Sequence, residues 1–128
     1  MEQEQPKRTF KVKESLRLDD GAHAGEIVRI DYVDEPYQYV EFVVKVDDSV
    51  LELNYGCPQN LSANSKLGRM FELFGKTLTV NEEISEDEMK TIFVGQKVKF
   101  VTVTESVKRD GQLREYARIA SESLKPSN

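Results

Sequence analysis

Two arginines and a tyrosine alternate near the end of the chain, and side chains of these types can bind a nucleic-acid strand. Arg114, Tyr116 and Arg118 stand two positions apart, so on a β-strand they share one face at intervals of about 7 Å. Guanidinium groups pair with phosphates, and tyrosine rings and guanidinium planes stack on bases. Lys108 and Arg109 precede this stripe and extend its positive charge. The alternative is an ordinary solvated strand face whose cations pair with acidic residues on the neighbouring strand.

A second candidate surface lies around the second predicted strand. Tyr37 and Tyr39 begin this strand, and Lys45 follows on the same outward face. Two exposed aromatic side chains on one outward face favour a binding role. Glu41 and Glu52 fall on the same predicted surface and would repel a phosphate backbone. The alternative is that one tyrosine covers the open end of the sheet and the other packs on the N-terminal segment.

The elements that position these residues follow from the hydrophobic pattern. Alternation of period two predicts strands, and an i, i+3, i+4, i+7 pattern predicts an amphipathic helix. We predict three strands, then a helix, then two further strands, at residues 26–33, 39–46, 50–55, 62–74, 97–104 and 113–120. In the second strand, the core face is Val40, Phe42, Val44 and Val46. In the fifth strand, we expect Leu113, Glu115, Ala117 and Ile119 on the face opposite the arginines.

Helix ends and turns are marked by specific residues. The apolar stripe of the first helix is Leu67, Met70, Phe71 and Phe74, with Asn60, Ser62 or Asn64 as its N-cap and Gly75 just past its end. A capping box, Ser85-x-x-Glu88, predicts a second short helix ending at Gly95. Asp110-Gly111 predicts a tight hairpin between the last two strands.

This order of elements is that of the OB-fold, a five-stranded Greek-key barrel. The stretch "NSKLGRMFELFG", the acidic helix after it and "VGQKVKFVTV" resemble the small OB-fold proteins of archaea and their viruses related to replication protein A. The resemblance covers roughly residues 22 to 120. It implies a barrel with a helix between strands 3 and 4, and single-stranded DNA or RNA as the ligand. It also implies stacking aromatics at the start of strand 2, where Tyr37 and Tyr39 stand.

Charge is distributed unevenly along the chain, whose net charge is −5. Residues 21–56 hold eight acidic and two basic side chains, whereas residues 97–128 hold seven basic and four acidic ones. A sequence-independent coat for nucleic acids is usually more basic, because phosphate neutralisation supplies most of its affinity. The acidic stretch therefore supports a rival interpretation, a protein-interaction module that docks a basic partner without binding nucleic acid.

Catalytic and metal chemistry is not expected, and neither a cofactor nor a small-molecule substrate is predicted. The single cysteine, Cys57, excludes an internal disulfide and a multi-thiolate zinc site within one chain. Asp19, Asp20 and His23 are close in sequence but lack a fourth ligand at a recognisable spacing. We expect no enzyme activity, since no phosphate-binding glycine loop or nucleophile elbow is present.

The domain layout is simple. We predict a polar N-terminal tail over residues 1–20, one OB-fold domain over 21–122 and a disordered C-terminal tail over 123–128. Within the N-terminal tail, residues 10–18 could form a short extra strand or a docking segment. The chain has no apolar run of membrane-spanning length and no signal-peptide pattern at its start, so we expect a cytoplasmic protein.

Overall fold

The structure is a computed structural model that describes residues 18–127. The described chain is mostly β, with both helices between the third and fourth strands, as the sequence predicts. Its elements are β1 (Gly21–Val33), β2 (Tyr39–Val46), β3 (Glu52–Pro58), α1 (Lys66–Leu73), α2 (Glu86–Phe93), β4 (Lys97–Arg109), β5 (Gln112–Ile119) and β6 (Lys125–Pro126). In this part of the chain, neither helix has the length and apolar character needed to cross a bilayer.

The described strands form one antiparallel sheet in the order β3-β2-β1-β4-β5, and β6 pairs separately with β4. β3 and β5 are therefore the outer strands, and no hydrogen-bonded ladder joins them. They nevertheless contact each other. The backbone N–H of Glu122, just after β5, donates to the Tyr55 hydroxyl on β3 at 3.0 Å. The sheet is thus curved enough to bring its two edges together.

β1 is long because it serves two partners. Its first part pairs with β4 from Gly21 to Glu26, and its later part pairs with β2 from Gly25 to Val33. A bulge interrupts the β2 register between Ile27 and Arg29. A Cβ at Gly25 would stand 2.5 Å from a β2 carbonyl oxygen, so this close strand approach requires glycine.

The core lies between the inner face of the sheet and the two helices. All four predicted core residues of β2, the alternating set from Val40 to Val46, are buried. Phe93 of α2 makes edge-to-face contacts with Phe42 and Phe71, with ring centroids 4.7 and 5.1 Å apart. Such contacts add to the free energy gained from burying the rings.

Helix α1 begins later than the sequence prediction. Its N-cap is Ser65, whose Oγ accepts the Gly68 N–H at 2.9 Å, so the proposed caps at Asn60, Ser62 and Asn64 are wrong. Its end matches the prediction. Gly75 has φ +87°, and the Lys76 N–H donates to the Phe71 carbonyl at 2.9 Å, as in a Schellman motif. Of the predicted apolar stripe, Leu67, Met70 and Phe71 are buried and Phe74 is partly buried.

Helix α2 begins as its capping box predicts. The Ser85 Oγ accepts the Glu88 N–H at 3.1 Å, and Met89 and Phe93 are buried. After the helix, the Gly95 N–H donates to the Ile27 carbonyl at 2.7 Å. This bond fixes the end of α2 to the middle of β1.

The C-terminal segment is ordered up to Ser127, so the predicted disordered tail over residues 123–128 is wrong for 123–127. Leu124 is 1% exposed and belongs to the core. Lys125 pairs with Lys99 of β4, and Ser123 hydrogen-bonds to Val101. The apolar contact of one leucine outweighs the polar composition around it.

At the other end, the described chain begins before the predicted domain boundary at residue 21. Leu18 packs against the core, and the Asp19 carbonyl accepts a hydrogen bond from Thr102 Oγ1 at 2.8 Å. Residues 18–20 therefore belong to the folded part. The predicted segment at 10–18 lies outside the described residues except for Leu18, and so does the rest of the proposed N-terminal tail.

Candidate nucleic-acid interface

The last hairpin extends beyond the rest of the described sheet. Pairing between β1 and β4 stops at Gly21 and Thr102, whereas β4 and β5 stay paired as far as Arg109 and Gln112. Residues 103–118, which we call the arm, thus form a two-stranded ribbon. At its tip Asp110 and Gly111 both have positive φ, 51° and 76°. Two such residues make the turn whose twist matches an antiparallel hairpin, as the sequence predicts.

The register of the arm decides which predicted site residues share a face. Val107 lies opposite Arg114, Glu105 opposite Tyr116, and Val103 opposite Arg118. Because cross-strand partners point to the same side, these residues and Arg109 form one surface, the arm face. Lys108 lies opposite Leu113 and therefore points to the other side. The structure thus brings together Arg109, Arg114, Tyr116 and Arg118, and it separates Lys108 from them.

The two arginines that flank Tyr116 differ in whether a described carboxylate binds them. Arg114 is exposed and makes no ion pair with any described residue. Arg118 is bound, since its Nε lies 2.8 Å from Glu105 Oε2. Tyr116, directly opposite Glu105, is 47% exposed. Exposed ion pairs contribute little to stability and open readily, so Arg118 can exchange Glu105 for another anion.

The side of β5 opposite the arginines carries the residues that the alternation predicts, and most of this side is not buried. Of its four residues only Ile119 is buried, and Leu113 is 68% exposed. The reason is the projection of the arm, because strand residues beyond Thr102 no longer face the core. Leu113 therefore lies on the predicted face, and the projection of the arm leaves it exposed to solvent.

The second predicted surface, on β2 and the loop before it, is separate from the arm face. Tyr37 is in the β1–β2 loop and is 71% exposed. Tyr39 packs over Gly56 of β3, where its Cδ1 lies 3.6 Å from the site of an added Cβ. This contact covers part of the ring, which is 36% exposed. Lys45 is exposed, and it lies opposite Glu26 and Glu52 in the register.

Arg29, which the sequence did not single out, spans the outer face of the layer formed by β1, β2 and β3. Arg29 on β1 lies opposite Val43 of β2, yet its Nη1 donates to Glu52 Oε1 on β3 at 3.0 Å. The side chain must cross β2 to reach that carboxylate. The hydrogen bond from Arg29 to Glu52 raises the pKa of the guanidinium. Beneath this bridge, Val43 is fully buried although it lies on the outward side of the strand.

The outer face of β1, β2 and β3 is consequently acidic. Asn54 donates to Glu41 at 3.1 Å, which adds a second polar contact beside Val43. Together, Arg29, Glu41, Glu52 and Asn54 form what we call the polar lattice. Its arginine is already neutralised, and Asp31 contacts the same guanidinium at 3.4 Å. This surface therefore has little positive charge with which to bind phosphates.

Among residues 18–127, the side chains whose types could support catalysis or metal binding do not form a cluster. His23 Nε2 lies 2.7 Å from the Asp19 carbonyl oxygen, and its ring packs near Phe100. Cys57 is fully buried, and burial raises the pKa of its thiol to about 11 despite the nearby cations Lys66 and Arg69. Among residues 18–127, no group of three or more His, Cys, Asp or Glu side chains comes together as a ligand set.

The position of Glu105 opposite Tyr116 could be predicted from the sequence. A two-residue Asp110-Gly111 turn fixes the pairing of β4 and β5, and counting back from it places Glu105 opposite Tyr116. The bridge from Arg29 to Glu52 had no such signal, because the bulge in β1 changes which residues align.

A scan against protein-family models finds no match, and a search of curated proteins finds none either.

Proposed function

We propose that the chain is a single-stranded nucleic-acid-binding protein that uses the arm face. The observation that carries the proposal is the position of Tyr116, half-exposed between Arg114 and Arg118 on one side of the projecting ribbon. A ring of this kind offers a stacking surface for a base, and the guanidinium groups on either side of it can pair with phosphates of the same strand. The arm is also reachable, because it projects from the sheet.

The proposal includes an OB-type barrel related to the replication protein A group. Opening a five-stranded OB barrel between strands 3 and 5 gives the strand order found here, and the OB barrel is itself partly open. Contact between β3 and β5 and the position of α1 between β3 and β4 support this assignment. In such a fold the loop between strands 4 and 5 borders the ligand, which is where the arm lies.

In the proposed mechanism, one base stacks on Tyr116 while Arg114 and Arg109 bind the phosphates beside it. Arg118 joins them by exchanging Glu105 for a phosphate oxygen. Lys108, on the other side of the arm, contributes to electrostatic steering rather than to the same contact surface. Tyr37, the most exposed tyrosine of the two surfaces, offers a second stacking point. Tyr39 is less suitable, because Gly56 covers part of its ring.

Charge limits the affinity of this site. The chain carries a net charge of −5, and the polar lattice adds no free arginine. Since phosphate neutralisation dominates non-specific affinity, we expect micromolar binding at physiological salt, about −8 kcal/mol.

No cofactor or catalytic step is part of the proposal. A cytoplasmic location is proposed with it, because a single buried thiol suits a reducing compartment.

The experiment is a fluorescence-anisotropy titration of a labelled single-stranded oligonucleotide, as DNA and as RNA. Replacing Arg114 by alanine should weaken binding, whereas replacing Arg29 should not. The two arginines are a matched pair, because both are exposed and only Arg29 is held by a carboxylate. Equal losses in the two variants would contradict the arm as the site.

A second candidate function is a protein-interaction module, and the polar lattice favours it. This face presents Asp31, Glu41 and Glu52 on three adjacent strands around a single bound arginine. An acidic sheet face attracts a basic protein by electrostatic steering and repels nucleic acid. If the oligonucleotide titration shows no binding, this function replaces the first one.

A further inference from the structure

A pocket of about 360 Å³ lies where α1 meets β3 and the turn after β5. This volume is within the usual range for small-molecule sites. The apolar part of its lining comes from Tyr55 of β3 and from Met70 and Leu73 of α1. Leu73 is 49% exposed, so an apolar ligand can reach it from solvent.

The charged part of the lining contains one cation that has no carboxylate partner among residues 18–127. Lys66 Nζ stands 4.2 Å from the centre of the Tyr55 ring and makes no ion pair within the described chain. Arg69 also lines the pocket, but its Nη2 binds the Glu122 carboxylate at 2.5 Å. Residues three apart on a helix are neighbours, so these two cations lie side by side on α1.

We propose that this pocket binds a small organic anion with an apolar body, such as an aliphatic or aromatic carboxylate. The carboxylate binds Lys66 and reaches Arg69, and the apolar body packs on Leu73 and Met70. The pocket touches β3, α1 and the turn after β5, so its occupant joins the two sheet edges that no ladder connects. This site is distinct from the arm and does not depend on nucleic-acid binding.

Two acidic residues of the lining act against the ligand. Glu122 competes for Arg69, and Glu72 repels the anion from the wall formed by α1. We therefore expect Glu122→Gln and Glu72→Gln each to tighten binding of an anion. Neither change should alter the binding of an uncharged molecule with the same body.

The test is a titration of the whole chain with octanoate, and with octanamide as its uncharged counterpart. Met70 lines the pocket, and its methyl group serves as the NMR reporter. Met89, which lies on α2 with its sulfur 3.6 Å from the Tyr32 hydroxyl, is the internal control. We expect octanoate to shift the Met70 signal, to leave Met89 unchanged and to bind more tightly than octanamide.

Lys66→Gln should weaken octanoate binding about tenfold, the effect of losing one charge-assisted contact. Lys45→Gln, which removes an exposed lysine of β2, should have no effect. An unchanged Met89 signal in the Lys66 variant shows that it is folded. The proposal is overturned if octanoate and octanamide bind equally, if Lys66→Gln leaves the affinity unchanged, or if octanoate leaves Met70 unshifted.

Discussion

Arg29 and Glu52 join the two outer strands of the β1–β2–β3 layer across the strand between them, with 3.0 Å between Nη1 and Oε1. The residue beneath the bridge, Val43, is fully buried on a side of β2 that otherwise carries polar groups. In the OB-type fold that we propose, the surface of strands 2 and 3 is the usual place for an oligonucleotide. Here that surface holds a neutralised arginine, so the arm becomes the better candidate.

The first prediction concerns this bridge. Arg29→Gln removes the contact with Glu52 and uncovers Val43, so we expect a modest loss of stability in urea unfolding. We also expect unchanged affinity for a single-stranded oligonucleotide, because both Glu52 and Asp31 contact the guanidinium and the carboxylates of this face repel phosphates. A clear loss of oligonucleotide affinity in this variant would place the ligand on β1–β3 instead of the arm.

The second prediction concerns the core. Phe71→Ala should lower the free energy of unfolding by about 3–5 kcal/mol, since the side chain is fully buried and its loss leaves a cavity. Leu73→Ala, two residues later on the exposed side of α1, is the matched control and should cost no more than about 1 kcal/mol. Equal effects of the two changes in denaturant unfolding would contradict the assigned packing of α1 on the sheet.

Much of this fold could be predicted because the decisive signals are local. The bounds of β2, the capping serine of α2 and the Asp110-Gly111 turn all follow from neighbouring residues. Contacts distant in sequence could not be predicted. Leu124 is in the core only because the chain returns to β4, and nothing in the polar sequence around it indicates this.

The candidate site was predictable to a similar extent. Alternation placed Arg114, Tyr116 and Arg118 on one face, and the register agrees. Alternation could not indicate that β4 and β5 stay paired beyond the residues of β4 that pair with β1, an extension that leaves Leu113 exposed. The bridge by Arg29 depends on a bulge whose position the residue pattern of β1 does not mark.

The third prediction concerns Glu105, which holds Arg118 at 2.8 Å. Glu105→Gln frees the guanidinium and removes a negative charge beside Tyr116. Oligonucleotide affinity should rise about two- to fivefold, in line with the roughly 0.5–1 kcal/mol of an exposed ion pair. Asp48→Asn in the β2–β3 turn is the control, because it removes the same charge away from the arm. If both variants gain equally, the effect is one of net charge and not of Arg118.

The fourth prediction concerns Cys57. Burial raises the pKa of its thiol to about 11, so the reactive thiolate is scarce at pH 8 and the sulfur is inaccessible. We expect negligible reaction with a thiol-specific disulfide reagent in native buffer and complete reaction in urea. Since the folded pKa lies above the unfolded one, this thiol's contribution to stability is lost as the pH rises from about 9 to about 11. Rapid labelling of the folded protein would contradict the burial of this residue.

The most direct measurement is the salt dependence of oligonucleotide binding for the wild type, Arg114→Ala and Tyr116→Ala. Loss of Arg114 should weaken binding and reduce the log–log salt slope by roughly 0.7, because one fewer counterion is released from a single strand. Loss of Tyr116 should cost about 1–3 kcal/mol through lost stacking and leave the slope nearly unchanged. If the wild type shows no salt-sensitive binding to DNA or RNA at about 50 µM protein, well above the expected micromolar dissociation constant, nucleic-acid binding by the arm is contradicted.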